Sequence, residues 1–282
     1  MIENRPFLAF LTHLVLIIGV VIVVFPVYLA FVASTHGSGD FMRGLVPLLP
    51  GPHLIENYSF MLNEGISSAG APPLSIMLLN SLVMAISIAV GKIIISILSA
   101  YAIVFFRFPF RLLAFWIIFI TLMLPVEVRI IPTFKVVADL GMLNSYPGLI
   151  IPLIASATAT FLFRQFFLTV PDELMEAARV DGAGPMKFFR DILLPLSRTN
   201  IAALFVILFI YGWVQYLWPL LVTTDSRYYT IVMGIKRLAA TADAEPQWNF
   251  VMAAVMLAML PPVLVVILMQ RLFVKGLVET EK

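Results

Sequence analysis

Residues Glu176 to Pro195 read EAARVDGAGPMKFFRDILLP, a charged and glycine-punctuated insert between two long apolar segments. The insert carries helix signals. Thr169 is placed to cap a short helix with Asp172 three residues on, and Gly182 is placed to end it. Gly184 and Pro185 open a second helix, which Pro195 closes. A loop over 168–199 built from two short helices is a docking surface rather than a passive connector.

Outside this loop, composition identifies the solvent. With 61% hydrophobic and 12% charged residues, the chain lies far from soluble proteins and reads as an integral membrane protein. Apolar runs fall at 7–33, 74–106, 112–132, 148–167, 200–222 and 250–269, which predicts six spans. Lipid offers the backbone no hydrogen-bond partners, and no strand-like alternation appears, so an all-α fold is expected. In 282 residues these spans leave no room for a separate soluble domain, and 1–282 is read as one transmembrane domain. The first run exceeds the length of a signal-peptide core and is followed by no clear small-x-small site, so it is expected to remain as a span.

Lysines and arginines set the orientation. Arg5, Arg107, Arg111, Arg164, Arg179, Lys187, Arg190, Arg198, Arg271, Lys275 and Lys282 fall on the side of the N-terminus, eleven in all. Arg43, Arg129, Lys135, Arg227, Lys236 and Arg237, six in all, fall on the other. Both termini and the 168–199 loop are therefore expected in the cytoplasm. The first outer loop, 34–73, is dense in glycine and proline, which opposes regular structure. It reads either as an irregular connector or as a surface for an external partner.

Candidates for chemistry mostly fail. There is no cysteine, and His13, His36 and His53 share no metal-ligand spacing, so no metal site is expected. No phosphate-binding loop and no nucleophile elbow is present, so neither bound ATP nor covalent catalysis is expected in this chain. Energy for any transport must come from a partner or an ion gradient. A net charge of +2 without a basic stripe excludes nucleic acid.

Three charges stand where lipid makes charge costly: Lys92 within the second run, and Glu127 and Arg129 after Pro125. Lys92 either snorkels to an interface or faces a cavity or partner. Glu127 and Arg129 either form a solvated helix end with an ion pair, or Arg129 meets an anionic substrate. Pro125, Pro132, Pro152, Pro219 and the Pro261-Pro262 pair are expected to kink or break their helices. Tyr211, Trp213, Tyr216 and Trp218 read as interface or packing residues.

Glu176-Ala177-Ala178, Gly182 and Ile192-x-Leu194-Pro195 reproduce the spacing EAA-x3-G-x9-I-x-LP. By this motif the chain resembles the permeases of binding-protein-dependent ABC importers of the sugar type. The resemblance implies a type I permease fold with six spans and a coupling helix-turn-helix seated in a cleft of an ATPase subunit. Glu176, Ala177, Ala178, Asp181, Gly182, Ile192, Leu194 and Pro195 would be the coupling residues, the Ala pair permitting close approach of another surface.

The start MIENRP, the segments LPVEVRI, SATATFLFRQFF, PDELMEAARVDGA and FIYGW-x-QYLWPLL, and the end QR-x-F-x-x-GLV-x-x-EK are similar to the glycerol-phosphate branch of that family. That similarity implies an inner-membrane importer of sn-glycerol 3-phosphate, with glycerophosphodiesters as a secondary class. The partners it implies are a second permease, two ATPase subunits that bind the ATP, and a periplasmic binding protein. On their charge alone, Arg129, Glu127 and Lys92 are the candidates to line the substrate pathway. Related sugar permeases share the layout, so a sugar importer is the alternative, and a secondary transporter or a membrane phospholipid enzyme is the remoter one.

Overall fold

The computed structural model describes residues 6–43, 48–66, 70–124, 126–240 and 247–279, without the side chains at 6, 9, 42, 43, 122, 126, 127 and 271–279. Among the described residues the chain is helical, with one isolated antiparallel bridge, Ile66 to Ala71. In order the helices are α1 Pro6–Ser34, α2 Leu54–Asn63, α3 Leu74–Phe105, α4 Arg111–Ile120, α5 Val126–Asp139, α6 Tyr146–Ile150 and α7 Ala157–Phe167. There follow α8 Asp172–Val180, α9 Pro185–Phe188, α10 Leu194–Leu196, α11 Arg198–Trp213, α12 Leu217–Val222, α13 Ile231–Ala239 and α14 Trp248–Glu279.

Among the described residues three helices are long and apolar enough to cross a membrane, Phe10–Ser34, Leu74–Phe105 and Trp248–Gln270, or up to five if two bent pairs each count as a span. They match the first, second and sixth expected runs. The bent pairs are Tyr146–Leu153 with Ala157–Phe167, at 46°, and Pro185–Leu196 with Arg198–Trp213, at 70°. The third run does not form one helix. It divides into α4, a 3₁₀ turn at Thr121–Met123 and α5, with Leu124 extended as a residue preceding proline prefers. Pro125, expected to break this run, lies outside the described residues.

The other prolines differ in effect. Pro152 lies in the 3₁₀ turn at the 46° bend. Pro219 sits in the first turn of α12, where its missing N–H costs nothing. Pro132 lies inside α5, and Pro261 and Pro262 lie inside α14, which continues through them without a break.

The chain divides into two compact units. One comprises Met1–Ser75 with Gly234–Met259. Here the expectation for the outer loop is corrected, because residues 54–63 form α2 and their neighbours are tied down. The glycines and prolines bracket that helix. Asn57 is buried and donates to the carbonyls of Ser34 and His36, each at 2.9 Å, and it accepts from Asn249 at 3.3 Å. His36 bonds Asp40 at 3.2 Å, and Phe60 stacks on Phe250 with centroids 4.8 Å apart. Along α1, by contrast, apolar side chains such as Val15, Ile22 and Val23 are exposed, as lipid contact requires.

The second unit comprises Ile76–Met233 with Leu260–Lys282. Its core gathers Met84 and Ile88 of α3, Ile130 and Val137 of α5, Leu149 of α6, and Trp218 and Val222 of α12. Polar side chains stitch the loops to it. Asn80 donates to the carbonyls of Arg227 at 2.8 Å and Tyr229 at 2.9 Å and accepts from Tyr146 at 2.6 Å. Helices α3 and α11 nearly touch at Gly212, where an added Cβ would lie 2.8 Å from the Cα of Ala85. That approach needs glycine.

Asn80→Ala leaves two loop carbonyls and the Tyr146 hydroxyl without their partner, a loss of about 2–3 kcal/mol. The thermal midpoint of the purified protein in detergent should fall clearly, whereas Asn63→Ala, at an exposed site, should leave it unchanged.

Candidate functional site

The 168–199 loop folds as two short helices. Thr169 does not cap the first: its hydroxyl donates to Phe166 O at 2.7 Å and so closes α7. Pro171 overrides the capping pattern, since it is extended and occupies the N-cap position, making Asp172 the first helical residue. Asp172 and Glu173 then stand in the first turn and Arg179 in the last, each matching the helix dipole.

At the other end Gly182 has φ +74°, as expected of a left-handed terminus. Gly182 N–H donates to Arg179 O at 3.0 Å and Ala183 N–H to Ala178 O at 2.8 Å, the paired bonds of a Schellman cap. Gly184 is extended and Pro185 opens α9, also as expected. Pro195 does not close the second helix. The chain widens into a π-helical turn over Phe189–Leu193, which accommodates a proline without its N–H, and continues to Leu196 before bending at Ser197.

The loop has two faces. Glu176, Ala177, Asp181, Gly182 and Pro195 are exposed, Ile192 and Leu194 half-buried. Ala178 alone of the motif positions is buried, and it lines a cavity of about 300 Å³ with Tyr101 and Phe105 of α3. The two alanines therefore serve different surfaces. Val180, 88% exposed, and Met186, 69% exposed, leave apolar side chains uncovered on the outer face.

The intramembrane charges meet at a second place. Lys92 is 6% exposed, and its Nζ stands 3.7 Å from the centroid of the Tyr211 ring, so it does not snorkel. It lines a cavity of about 680 Å³ together with Arg129, which is exposed on α5, and with Ser156, Ala157 and Thr158 at the start of α7. No aspartate or glutamate lines that cavity among the described residues. Glu127 lies on α5, but its side chain is outside the described residues.

The start of α7 is held in place: Ser156 Oγ accepts from Ala159 N–H at 3.3 Å, and Ser96 on α3 donates to Ser156 O at 3.2 Å. The result is a desolvated ammonium beside a guanidinium and a helix N-terminus, an arrangement that favours an anion.

Sequence reasoning named Lys92 and Arg129 as pathway candidates from their charge but missed Tyr211 and Ser156. Tyr211 lay within an aromatic run read as packing, and its partner is 119 positions away. The Ser-x-x pattern before α7 is an N-cap signal that was there to be read.

The model of the family described as "Binding-protein-dependent transport system inner membrane component" matches residues 92–279. The chain is 62% identical over 282 residues to the sn-glycerol-3-phosphate transport system permease protein UgpE of Agrobacterium fabrum, and 64% identical to that of Rhizobium meliloti, covering 100% of both chains in each case. The corresponding protein of Yersinia pestis is 60% identical, again over 100% of both chains. Among solved structures, a chain of a bacterial ABC transporter involved in the import of the acidic polysaccharide alginate superposes with a TM-score of 0.81. It is 20% identical and covers 96% of this chain and 98% of its own, a likeness of fold. The chain thus belongs to the inner-membrane components of binding-protein-dependent transport systems, multi-pass permeases of ABC importers that act with an ATPase and a substrate-binding protein and are not themselves enzymes.

Proposed function

We propose that this chain is one of two permease subunits of an ATP-driven importer of sn-glycerol 3-phosphate, with glycerophosphodiesters as further cargo. Its partners in that reading are a UgpA-like second permease, two UgpC-like ATPase subunits that bind the ATP, and a UgpB-like periplasmic protein. The names and identities of the full-length relatives support the substrate class. The observation that carries the reading within this chain is the 680 Å³ cavity with two cations and no acid among its described lining residues.

A phosphate monoester carries between one and two negative charges near neutral pH. Its oxygens suit the fork of Arg129, while Lys92 supplies a point charge with little water around it. A neutral sugar would leave a buried ammonium without a counter-charge, which is unfavourable in a dry site. The cavity therefore favours an anionic cargo over the sugar alternative.

The exposed face of the 168–199 loop is the ATPase contact in this reading. Both termini and this loop are cytoplasmic, in keeping with the eleven to six distribution of basic residues. Closing of the ATPase pair moves the two short helices, and the membrane helices open the cavity to alternate sides. No covalent step occurs in this chain.

Arg129→Ala and Lys92→Met should each lower uptake of labelled sn-glycerol 3-phosphate by roughly 10-fold or more, the loss of a charge-assisted contact. Immunoblots should show the same amount of protein in the membrane, and normal uptake in both variants would refute the cavity's role. At Gly182 an added Cβ meets no atom within 4 Å, so only its φ restricts the residue. Gly182→Asn should therefore keep transport coupled to hydrolysis, while Gly182→Val, a branched residue forced into a left-handed conformation, should uncouple it. The ratio of substrate carried to ATP hydrolysed in proteoliposomes reads this, and equal ratios for both variants would contradict the turn's role.

A further inference from the structure

The second short helix reaches the membrane through α11 only past the 70° bend at Ser197, and α7 joins the first through the non-helical residues 168–171. Neither is a stiff path. The stiff neighbour is α3, a continuous helix with no internal proline, which is remote from the loop in sequence. Tyr101 of α3 is buried and donates its hydroxyl proton to the carbonyl of Pro185, the first residue of α9, at 2.8 Å. Its ring lies against Phe189 of the π-helical turn, with centroids 4.9 Å apart, and meets Phe106 edge to face at 5.2 Å.

The same helix carries Lys92. Nine residues separate Lys92 from Tyr101, which is about 13.5 Å along the axis and two and a half turns, so the two side chains leave opposite faces of α3. Between them Ser96 donates to Ser156 O at the cavity, and farther along, Ala85 meets Gly212 in a close backbone approach of α3 to α11. A displacement applied at Tyr101 is thus carried by one rigid element to the ammonium in the cavity.

We propose that Tyr101 is the positioning residue through which the two short helices move α3, its hydroxyl holding the Pro185 carbonyl while Phe106 and Phe189 cage its ring. Movement of the loop tilts α3 about its contact with Gly212 and shifts Lys92 relative to Arg129. The cavity of about 300 Å³ beside Tyr101, lined also by Ala178, Arg179 and Ala183, gives the joint room to change its packing. This rests on the coupling role proposed above for the loop.

Tyr101→Phe removes one oxygen and keeps the caged ring, so it isolates the hydrogen bond. In proteoliposomes holding the whole complex, the ratio of glycerol phosphate carried to ATP hydrolysed should fall about 5-fold, the equivalent of one hydrogen bond, with the same amount of assembled complex. A ratio equal to that of the unsubstituted complex would overturn the proposal while leaving the coupling role of the loop intact. An unsubstituted complex that hydrolyses ATP without linked transport would overturn both. Loss of assembled complex in Tyr101→Phe would also overturn it, by assigning the hydroxyl to folding.

Discussion

In hydrocarbon no water is present to receive a backbone N–H or C=O, so a helix can be broken only where side chains take over the orphaned groups. Three breaks among the described residues illustrate that constraint. At the 46° bend Ser156 Oγ takes the Ala159 N–H at 3.3 Å; at the 70° bend Leu193 O accepts both the Ser197 N–H at 3.0 Å and the Ser197 hydroxyl at 2.6 Å. Between α11 and α12, Gln215 donates to Tyr211 O at 3.1 Å, and Trp218 Nε1 reaches Gly148 O at 3.1 Å. The first bend opens on the cation-lined cavity and the second follows the coupling helices. Interrupted backbone is thus found beside the places where cargo and energy are proposed to enter.

Against these breaks α3 is continuous and, unlike α1 and α14, carries no internal proline. It forms one wall of the larger cavity through Lys92 and one wall of the smaller through Tyr101. Burying an ammonium in the middle of such a helix is costly, and Tyr211 offsets only part of the cost. A site with a neighbouring guanidinium and no described acid is incomplete until an anion occupies it. That is the thermodynamic reason behind the proposal that the cavity is a transient phosphate site.

Much of this was legible from local chemistry. The left-handed Gly182 and the Gly184-Pro185 start need only backbone rules, and both stand as read. The Thr169 cap failed because Pro171, two residues later, dictated its own helix start. The outer loop misled because its glycines and prolines flank α2, while Asn57 and Met61, four apart in LIENYSFMLN, already marked its buried side. Lys92 could not be located by depth within so long a run. Its place depends on a ring 119 residues away, and the partners of Asn57 and Asn80 are comparably remote. Such contacts have no local signature.

The central claim is that the exposed face of the 168–199 loop seats in the ATPase and carries its closure to the membrane helices. Val180, the most exposed apolar residue of that face, offers the most direct test. With a photocrosslinking amino acid at position 180 in the complete complex, irradiation should yield a product containing this chain and the ATPase subunit, with a yield that changes when ATP is added. A crosslink only to lipid or to the second permease, in a complex whose ATPase subunits are present and active, would contradict it.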